Sequence, residues 1–159
     1  MKNNIEKTNV MRLLKQKNIP YNSYEYQCDE AISGIEVAEK LNKDYDTVFK
    51  TLVTIGASKI YYVFMVPVNK ELDLKKAAKA VKEKSISMIK SKDLLPLTGY
   101  VHGGCSPIGM KKQFVTTIDI SASSLNEIIF SAGKIGYQVE VSIDNLRKII
   151  NFNLCDITE

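Results

Sequence analysis

The chain has 159 residues, of which 45% are hydrophobic and 25% charged, and its net charge is +4. That length suits one compact domain, and the composition is that of a soluble globular protein. The apolar runs are too short to cross a bilayer and none follows the charged N-terminus, so neither a membrane span nor a signal peptide is expected. Three cysteines without a CxxC pair favour reduced thiols and a cytoplasmic location.

Alternating helical and strand-like patterns predict a single α+β domain over residues 1–159, with a mixed, mostly antiparallel sheet flanked by helices. The first half is expected to contain a helix with Ile5, Met11 and Leu14, a strand at Tyr24 and Tyr26, a helix opened by the capping pair Ser33 and Glu36, and strands over 48–55 and 60–68. The second half is expected to contain a helix over 72–81, a short helix from Ser91 stopped at Pro96, strands over 115–120, 127–130 and 137–141, and a helix capped by Asp144 that carries Leu146, Ile149 and Ile150.

Positive charge is concentrated between residues 70 and 92. This segment holds eight lysines against three acidic residues, so its local excess of +5 exceeds that of the whole chain. Such a segment is either a solvated helix face or a surface that binds phosphates. Composition leaves both interpretations open.

The segment 103–109, followed by Lys111 and Lys112, packs three glycines and a proline into seven residues. Glycine runs let backbone N–H groups approach a ligand. Three interpretations stay open: a loop that binds a nucleotide, a loop that surrounds a cysteine nucleophile, and a tight structural turn. The spacing misses the phosphate-loop pattern by one residue. Neighbours such as His102 and Cys105 in one tight loop seldom form a catalytic dyad, and a chain with one histidine is not expected to bind zinc.

Lys50 interrupts the otherwise apolar strand pattern over residues 48–53. Alternation places Val48, Lys50 and Leu52 on one face of that strand. The lysine either protects an edge strand from unwanted pairing or projects into a cleft, where it binds phosphate or a developing negative charge.

Four segments in order carry a resemblance to a known family: 47–53 with its Phe-Lys-Thr-Leu block, 73–78, 98–112 with its Gly-Gly-x-Ser-Pro-x-Gly-x-Lys-Lys block, and 131–134. Together they resemble the YbaK/EbsC family of free-standing Cys-tRNA(Pro) deacylases, which are related to the editing insertion of bacterial prolyl-tRNA synthetases. The resemblance covers nearly the whole chain. It implies a mixed α/β fold whose cleft takes the 3′-terminal adenosine of a mischarged tRNA.

The resemblance also implies roles for particular residues. Lys50 corresponds to the central functional lysine, and Gly103 to the glycine that lines the carbonyl site through its backbone. Substrate-binding positions are expected at Tyr26 (with Tyr24 as the alternative register), Gly104, Ser106, Gly109 and Gln138. The family's chemistry uses the substrate's own thiol, so neither a cofactor nor a metal is expected and Cys105 is a bystander. The expected partners are mischarged tRNA(Pro) and prolyl-tRNA synthetase, with no membrane and no DNA.

Two positions depart from the family pattern. Ile135 stands where an arginine is common, and Gln138 stands where an acidic residue is common. Both changes affect the expected contacts with the tRNA end or the amino acid. Two alternatives therefore stay open: an Ala-tRNA(Pro) deacylase that activates water, and a non-catalytic module that binds RNA or nucleotides.

Overall fold

The computed structural model describes residues 7–159. The helices are α1 (Asn9–Gln16), α2 (Gly34–Leu41), α3 (Leu74–Val81), α4 (Ser91–Thr98) and α5 (Ile143–Leu146), with short 3-10 turns at Tyr45–Thr47 and Ile120–Ser124. The strands are β1 (Asn22–Glu25), β2 (Phe49–Gly56), β3 (Tyr61–Pro67), β4 (Ile86–Met88), β5 (Val115–Asp119), β6 (Glu127–Ser131), β7 (Tyr137–Ser142) and β8 (Asn153–Cys155). Over the described range, no helix has both the length and the apolar character that a membrane crossing requires.

The strands form two sheets. One has the order β1-β7-β6 and is antiparallel throughout, and the other has the order β4-β2-β3-β5-β8. In the larger sheet β2 pairs antiparallel with β3 and β4, whereas β5 pairs parallel with β3 and β8. Within residues 7–159, a single bridge, between Val48 and Ile129, joins the two sheets. The predicted mixed α+β fold is confirmed, and the single-domain boundary at 1–159 stays a prediction.

The larger sheet is covered on both faces. Alternate β3 residues Val63 and Met65 enter the main core with α1 and the smaller sheet, while Phe64 and Val66 pack with α3 on the other face. All four are buried. Burial on both faces explains why the sequence of β3 is continuously apolar instead of alternating.

Most predicted elements lie within one or two residues of the observed ones, and the capping box of Ser33 and Glu36 is confirmed. Ile5 lies outside the described residues. The short strands β4 and β8 were not predicted, since three residues are too few to show a periodic pattern.

Two predicted helix boundaries were wrong. Helix α4 runs through Pro96 to Thr98, because Gly99 adopts a left-handed conformation with φ of 86° and its N–H donates to the Leu95 carbonyl at 2.8 Å. The last helix is capped by Ser142, not Asp144: the Ser142 side chain accepts from the Asn145 N–H at 3.1 Å. That helix ends at Leu146, before Ile149 and Ile150.

The assignment of Ser142 as the N-cap of α5 predicts how two substitutions change stability. Ser142→Ala removes the acceptor for the Asn145 N–H and should lower the free energy of unfolding by about 1 kcal/mol. Asp144→Ala removes an exposed first-turn charge and should cost under about 0.5 kcal/mol. Urea denaturation of both variants checks this, and a larger loss for Asp144→Ala would contradict the assigned cap.

Candidate active site

A cavity of about 390 Å³ opens at a gap beside β2. In the part of the chain that the structure describes, strand β2 pairs with β4 only from Thr54 onward, and the bridge to β6 is at Val48, just before β2 begins. Among the described residues, positions 50–52 therefore pair with β3 alone. The volume lies in the range of small-molecule sites, about 300–1,000 Å³.

Five parts of the chain line this cavity. They are the β2 segment 48–53, the start of α2 with the residues before it (32–34 and 37), the β4–α4 segment (88–91 and 94), the glycine loop (102, 103 and 105), and Ser131 with Gln138 from the smaller sheet. Val68 completes the wall. The cavity thus brings together Lys50, Gly103 and Gln138, which the sequence places far apart.

Lys50 lies at the cavity wall, and its side chain is 30% exposed. Its Nζ donates to Glu71 Oε2 at 3.0 Å. Neighbouring Phe49 and Val53 point to the main core, while Leu52 packs against the second hydrophobic cluster under α3. Strand alternation therefore places Lys50 on the opposite face from Phe49 and Val53, as the sequence predicted.

Thr51 was missed by sequence reasoning. Its Oγ1 is buried at the cavity and has no hydrogen-bond partner among the described residues. The Ile89 N–H donates to the Val53 carbonyl on the β4 side at 3.4 Å. Because backbone groups of residues two apart point the same way, the backbone N–H and C=O of Thr51 also face this open side. Hydroxyl and backbone groups here can bind a polar ligand.

Gly103 is another part of the cavity wall, in a turn with φ of 87°. A Cβ at this position would lie 2.5 Å from Ala31 Cβ, so the backbone approaches the segment before α2 closely. Within residues 7–159, the backbone N–H groups of Gly103 and the neighbouring Cys105 donate to no acceptor. Two free donors in one loop at a cavity wall can stabilise a negatively charged oxygen.

Gly104, Ser106 and Gly109 lie outside the cavity lining. The Gly104 N–H donates to the Val101 carbonyl at 3.0 Å, so it is not available to a ligand. Buried Ser106 accepts from the Ile108 N–H through its Oγ at 3.3 Å. Gly109 has φ of 79° and leaves no space for a Cβ beside the Tyr100 hydroxyl. These three residues shape the loop that carries Gly103, and their direct contact with substrate stays a prediction.

Tyr26 lies behind Gln138 and does not line the cavity itself. Its N–H donates to the Gly136 carbonyl at 2.9 Å. Burial raises the pKa of the Tyr26 phenol, and the Gln138 side chain partly offsets this effect. Tyr24 is engaged elsewhere, since its hydroxyl donates to Glu140 Oε1 at 2.8 Å. Both tyrosines lie near Gln138: Tyr24 is its cross-strand partner, whereas the side-chain interaction with Gln138 belongs to Tyr26.

Of the eight lysines between residues 70 and 92, Lys90 lines the cavity. Lys76 is bound instead to Asp156 Oδ2 at 3.0 Å and to the Thr158 carbonyl at 2.8 Å. The other six lysines of this segment are exposed and do not line the cavity.

The sequence of this site matches a known family. The aminoacyl-tRNA editing domain matches residues 29–149, which include Lys50, Gly103 and Gln138. The chain belongs to this family. A proposed Cys-tRNA(Pro)/Cys-tRNA(Cys) deacylase of Enterococcus faecalis, EbsC, is 45% identical over 154 residues, which cover 96% of this chain and 94% of that protein. The resemblance to the YbaK/EbsC family is confirmed.

Solved structures share the fold of this editing domain. The hypothetical protein APE2540 superposes with a TM-score of 0.84 and 19% identity, covering 94% of this chain and 99% of that one. A structure described as a proposed trans-editing enzyme for prolyl-tRNA synthetase superposes with a TM-score of 0.81 and 19% identity, covering 97% and 99%. At these identities the likeness concerns the fold.

The editing domain lacks an arrangement for conventional nucleophilic catalysis at its glycine loop. Burial raises the pKa of the Cys105 thiol to about 12, so the thiol stays protonated and is a poor nucleophile. His102 is exposed in a turn. No group of three His, Cys, Asp or Glu side chains in the described part of the chain is arranged to hold a metal ion.

This geometry predicts that Cys105 is dispensable for chemistry. Cys105→Ala keeps the backbone N–H and removes only the protonated thiol, so the single-turnover deacylation rate constant should stay within the same order of magnitude. Thermal unfolding of the variant controls for lost packing. Abolished turnover in a folded Cys105→Ala variant, with Lys50→Ala fully active, would contradict this assignment.

Proposed function

We propose that this protein is a trans-editing deacylase that removes cysteine from mischarged tRNA(Pro). The observation that carries the proposal is one cavity lined both by Lys50 and by a glycine loop with unpaired backbone donors. The 45% identity to EbsC over nearly the full length of both chains supports the same activity. Cysteine and proline are similar in size, and a small apolar pocket discriminates such substrates by only about 10–200-fold, so a second clearing step is needed.

The chemistry relies on the substrate's own thiol. The cysteinyl sulfur attacks its ester carbonyl, a C–S bond forms, and the C–O bond to the terminal ribose breaks. The thiol proton leaves through solvent and the ribose oxygen takes up a proton, which yields a cyclic thiolactone and free tRNA. No protein nucleophile is required, so the protein's contribution is to hold the thiol near the carbonyl.

The residues of the cavity supply position and charge. The Gly103 N–H donates to the carbonyl oxygen as negative charge develops on it, with the Cys105 N–H as the neighbouring donor. The Lys50 ammonium binds the phosphate of the terminal nucleotide and lowers the energy of that developing charge. The partnerless Thr51 hydroxyl and the Gln138 side chain bind polar groups of the aminoacyl-adenosine.

A single-turnover comparison of three esters tests this function. Cysteinyl-tRNA(Pro) should be cleared well above the background rate, whereas S-methylcysteinyl-tRNA(Pro) should persist because its sulfur cannot attack. Preferential clearing of alanyl-tRNA(Pro) would instead establish hydrolysis by water. If no ester is cleared above background, the protein is a binding module.

The proposed partner in the cell is prolyl-tRNA synthetase, and the proposed location is the cytoplasm, where translation occurs. The cavity takes one nucleotide end and offers little surface for reading a tRNA sequence, so a complex with the synthetase would provide tRNA selectivity. Co-purification of the two proteins with tRNA(Pro) supports this proposal. Independent migration at micromolar concentration contradicts it.

A further inference from the structure

The Lys50 ammonium at the cavity wall already has an anionic partner. Its Nζ lies 3.0 Å from Glu71 Oε2, and the two side chains are 30% and 73% exposed. An anion that binds Lys50 from the cavity must therefore compete with this carboxylate. Because the pair is exposed, it is weak and can be displaced.

The position of Glu71 is held by the C-terminal segment. The Glu159 N–H donates to the Glu71 carbonyl at 3.1 Å, and the Asp73 N–H donates to the Ile157 carbonyl at 2.8 Å. Leu72 forms a bridge with Thr158 between these two bonds. The backbone from Glu71 to Asp73 is thus fixed, which limits where the Glu71 side chain can reach.

A buried carboxylate anchors this C-terminal segment in turn. Asp119 is 3% exposed, and its Oδ1 accepts from the Ile157 N–H at 3.1 Å. The chain from β5 through the C-terminal segment to residue 71 therefore forms a continuous set of hydrogen bonds. It places one carboxylate beside the lysine of the cavity.

We propose that Glu71 is a displaceable counter-ion of Lys50 that raises the threshold for anion binding in the cavity. This inference rests on the proposed function, in which Lys50 binds the terminal phosphate of a tRNA. Ligands with several phosphates, such as an RNA end, displace the Glu71 carboxylate from Lys50 more readily than weakly charged esters do. Glu71 acts through Lys50 and is a positioning and selectivity residue, not a catalytic one.

Binding measurements test the proposal independently of turnover. The probe is the trinucleotide CCA, titrated at low salt against Glu71→Gln and the unaltered protein. Removing the competing charge should tighten binding about two- to fivefold, the range of an exposed ion pair. The difference should vanish in 1 M salt, where the Debye length falls to about 3 Å.

A matched control and a double variant exclude a general charge effect. Asp144→Asn makes the same charge change at an exposed position outside the cavity lining and should leave CCA binding unchanged. In a Lys50→Met background, Glu71→Gln should have no further effect, because the two residues act through each other. An equal tightening in that background, or in Asp144→Asn, overturns the proposal.

Kinetics separate this role from a structural one. Glu71→Gln should lower KM for cysteinyl-tRNA(Pro) about two- to fivefold and leave kcat unchanged. An unchanged or raised KM in an active enzyme overturns the Glu71 proposal alone. Tighter CCA binding in a protein that clears no ester leaves the counter-ion role intact and overturns the deacylase function.

Discussion

Lys50→Met should lower the rate constant of cysteinyl-tRNA(Pro) deacylation by about 10²–10³-fold, the cost of removing one preorganised group that stabilises transition-state charge. Methionine keeps much of the side-chain length and removes the ammonium that lies at the cavity wall. Single-turnover kinetics with saturating protein measures the effect. It is the largest loss of activity expected from one side chain.

Stability measurements show whether the loss of activity in Lys50→Met comes from the site or from unfolding of the protein. Lys50 forms a partly exposed pair with Glu71, so its removal should change the free energy of unfolding by less than about 1 kcal/mol. Lys148→Met makes the same charge change at an exposed position outside the cavity and should retain full activity. Equal losses in the two variants would mean that net charge, and not the site, sets the rate.

Gly103→Ala should lower both activity and stability. The added Cβ would lie 2.5 Å from Ala31 Cβ, so the glycine loop and the segment before α2 must move apart. This movement shifts the Gly103 N–H away from the carbonyl position, and we expect at least about a 10²-fold loss in the rate constant. The φ of 87° adds about 1–2 kcal/mol of backbone strain.

Gly99→Ala is the matched control for that strain. Gly99 has nearly the same φ of 86°, but a Cβ there would meet only the flexible Lys111 side chain at 3.4 Å. Both alanine variants should lose similar stability from backbone strain, and only Gly103→Ala should lose activity. A comparable loss of activity in Gly99→Ala would show that loop strain, and not the position of the Gly103 donor, affects turnover.

Local signals in the sequence predicted most of the secondary structure. The capping box of Ser33 and Glu36 depends on residues three apart, and the apolar run of β3 reflects burial on both faces. Boundaries were wrong where two local signals competed. Pro96 indicates a helix end, but Gly99 supplies the left-handed cap that allows one more turn.

Family motifs in the sequence also indicated Lys50, Gly103 and Gln138, and the fold brings them to one cavity. The glycine-loop pattern could not separate residues that face the cavity from those that support the loop. Gly104 donates its N–H to Val101, and Ser106 accepts from Ile108, because the turn satisfies its own polar groups first. Nothing in the pattern distinguishes Thr51, whose importance comes from an unpartnered hydroxyl.

The sequence by itself determined the class of fold and the family, and it indicated the candidate lysine and glycine of the site, since periodicity, caps and motifs are properties of neighbouring residues. Only the tertiary structure decided where the cavity opens and which anion already faces Lys50. The cavity depends on β4 pairing with β2 no earlier than Thr54, and the Lys50–Glu71 contact depends on a C-terminal segment bonded to residues 71–73. Both are contacts between residues distant in the chain, and these arise only when the sheet closes.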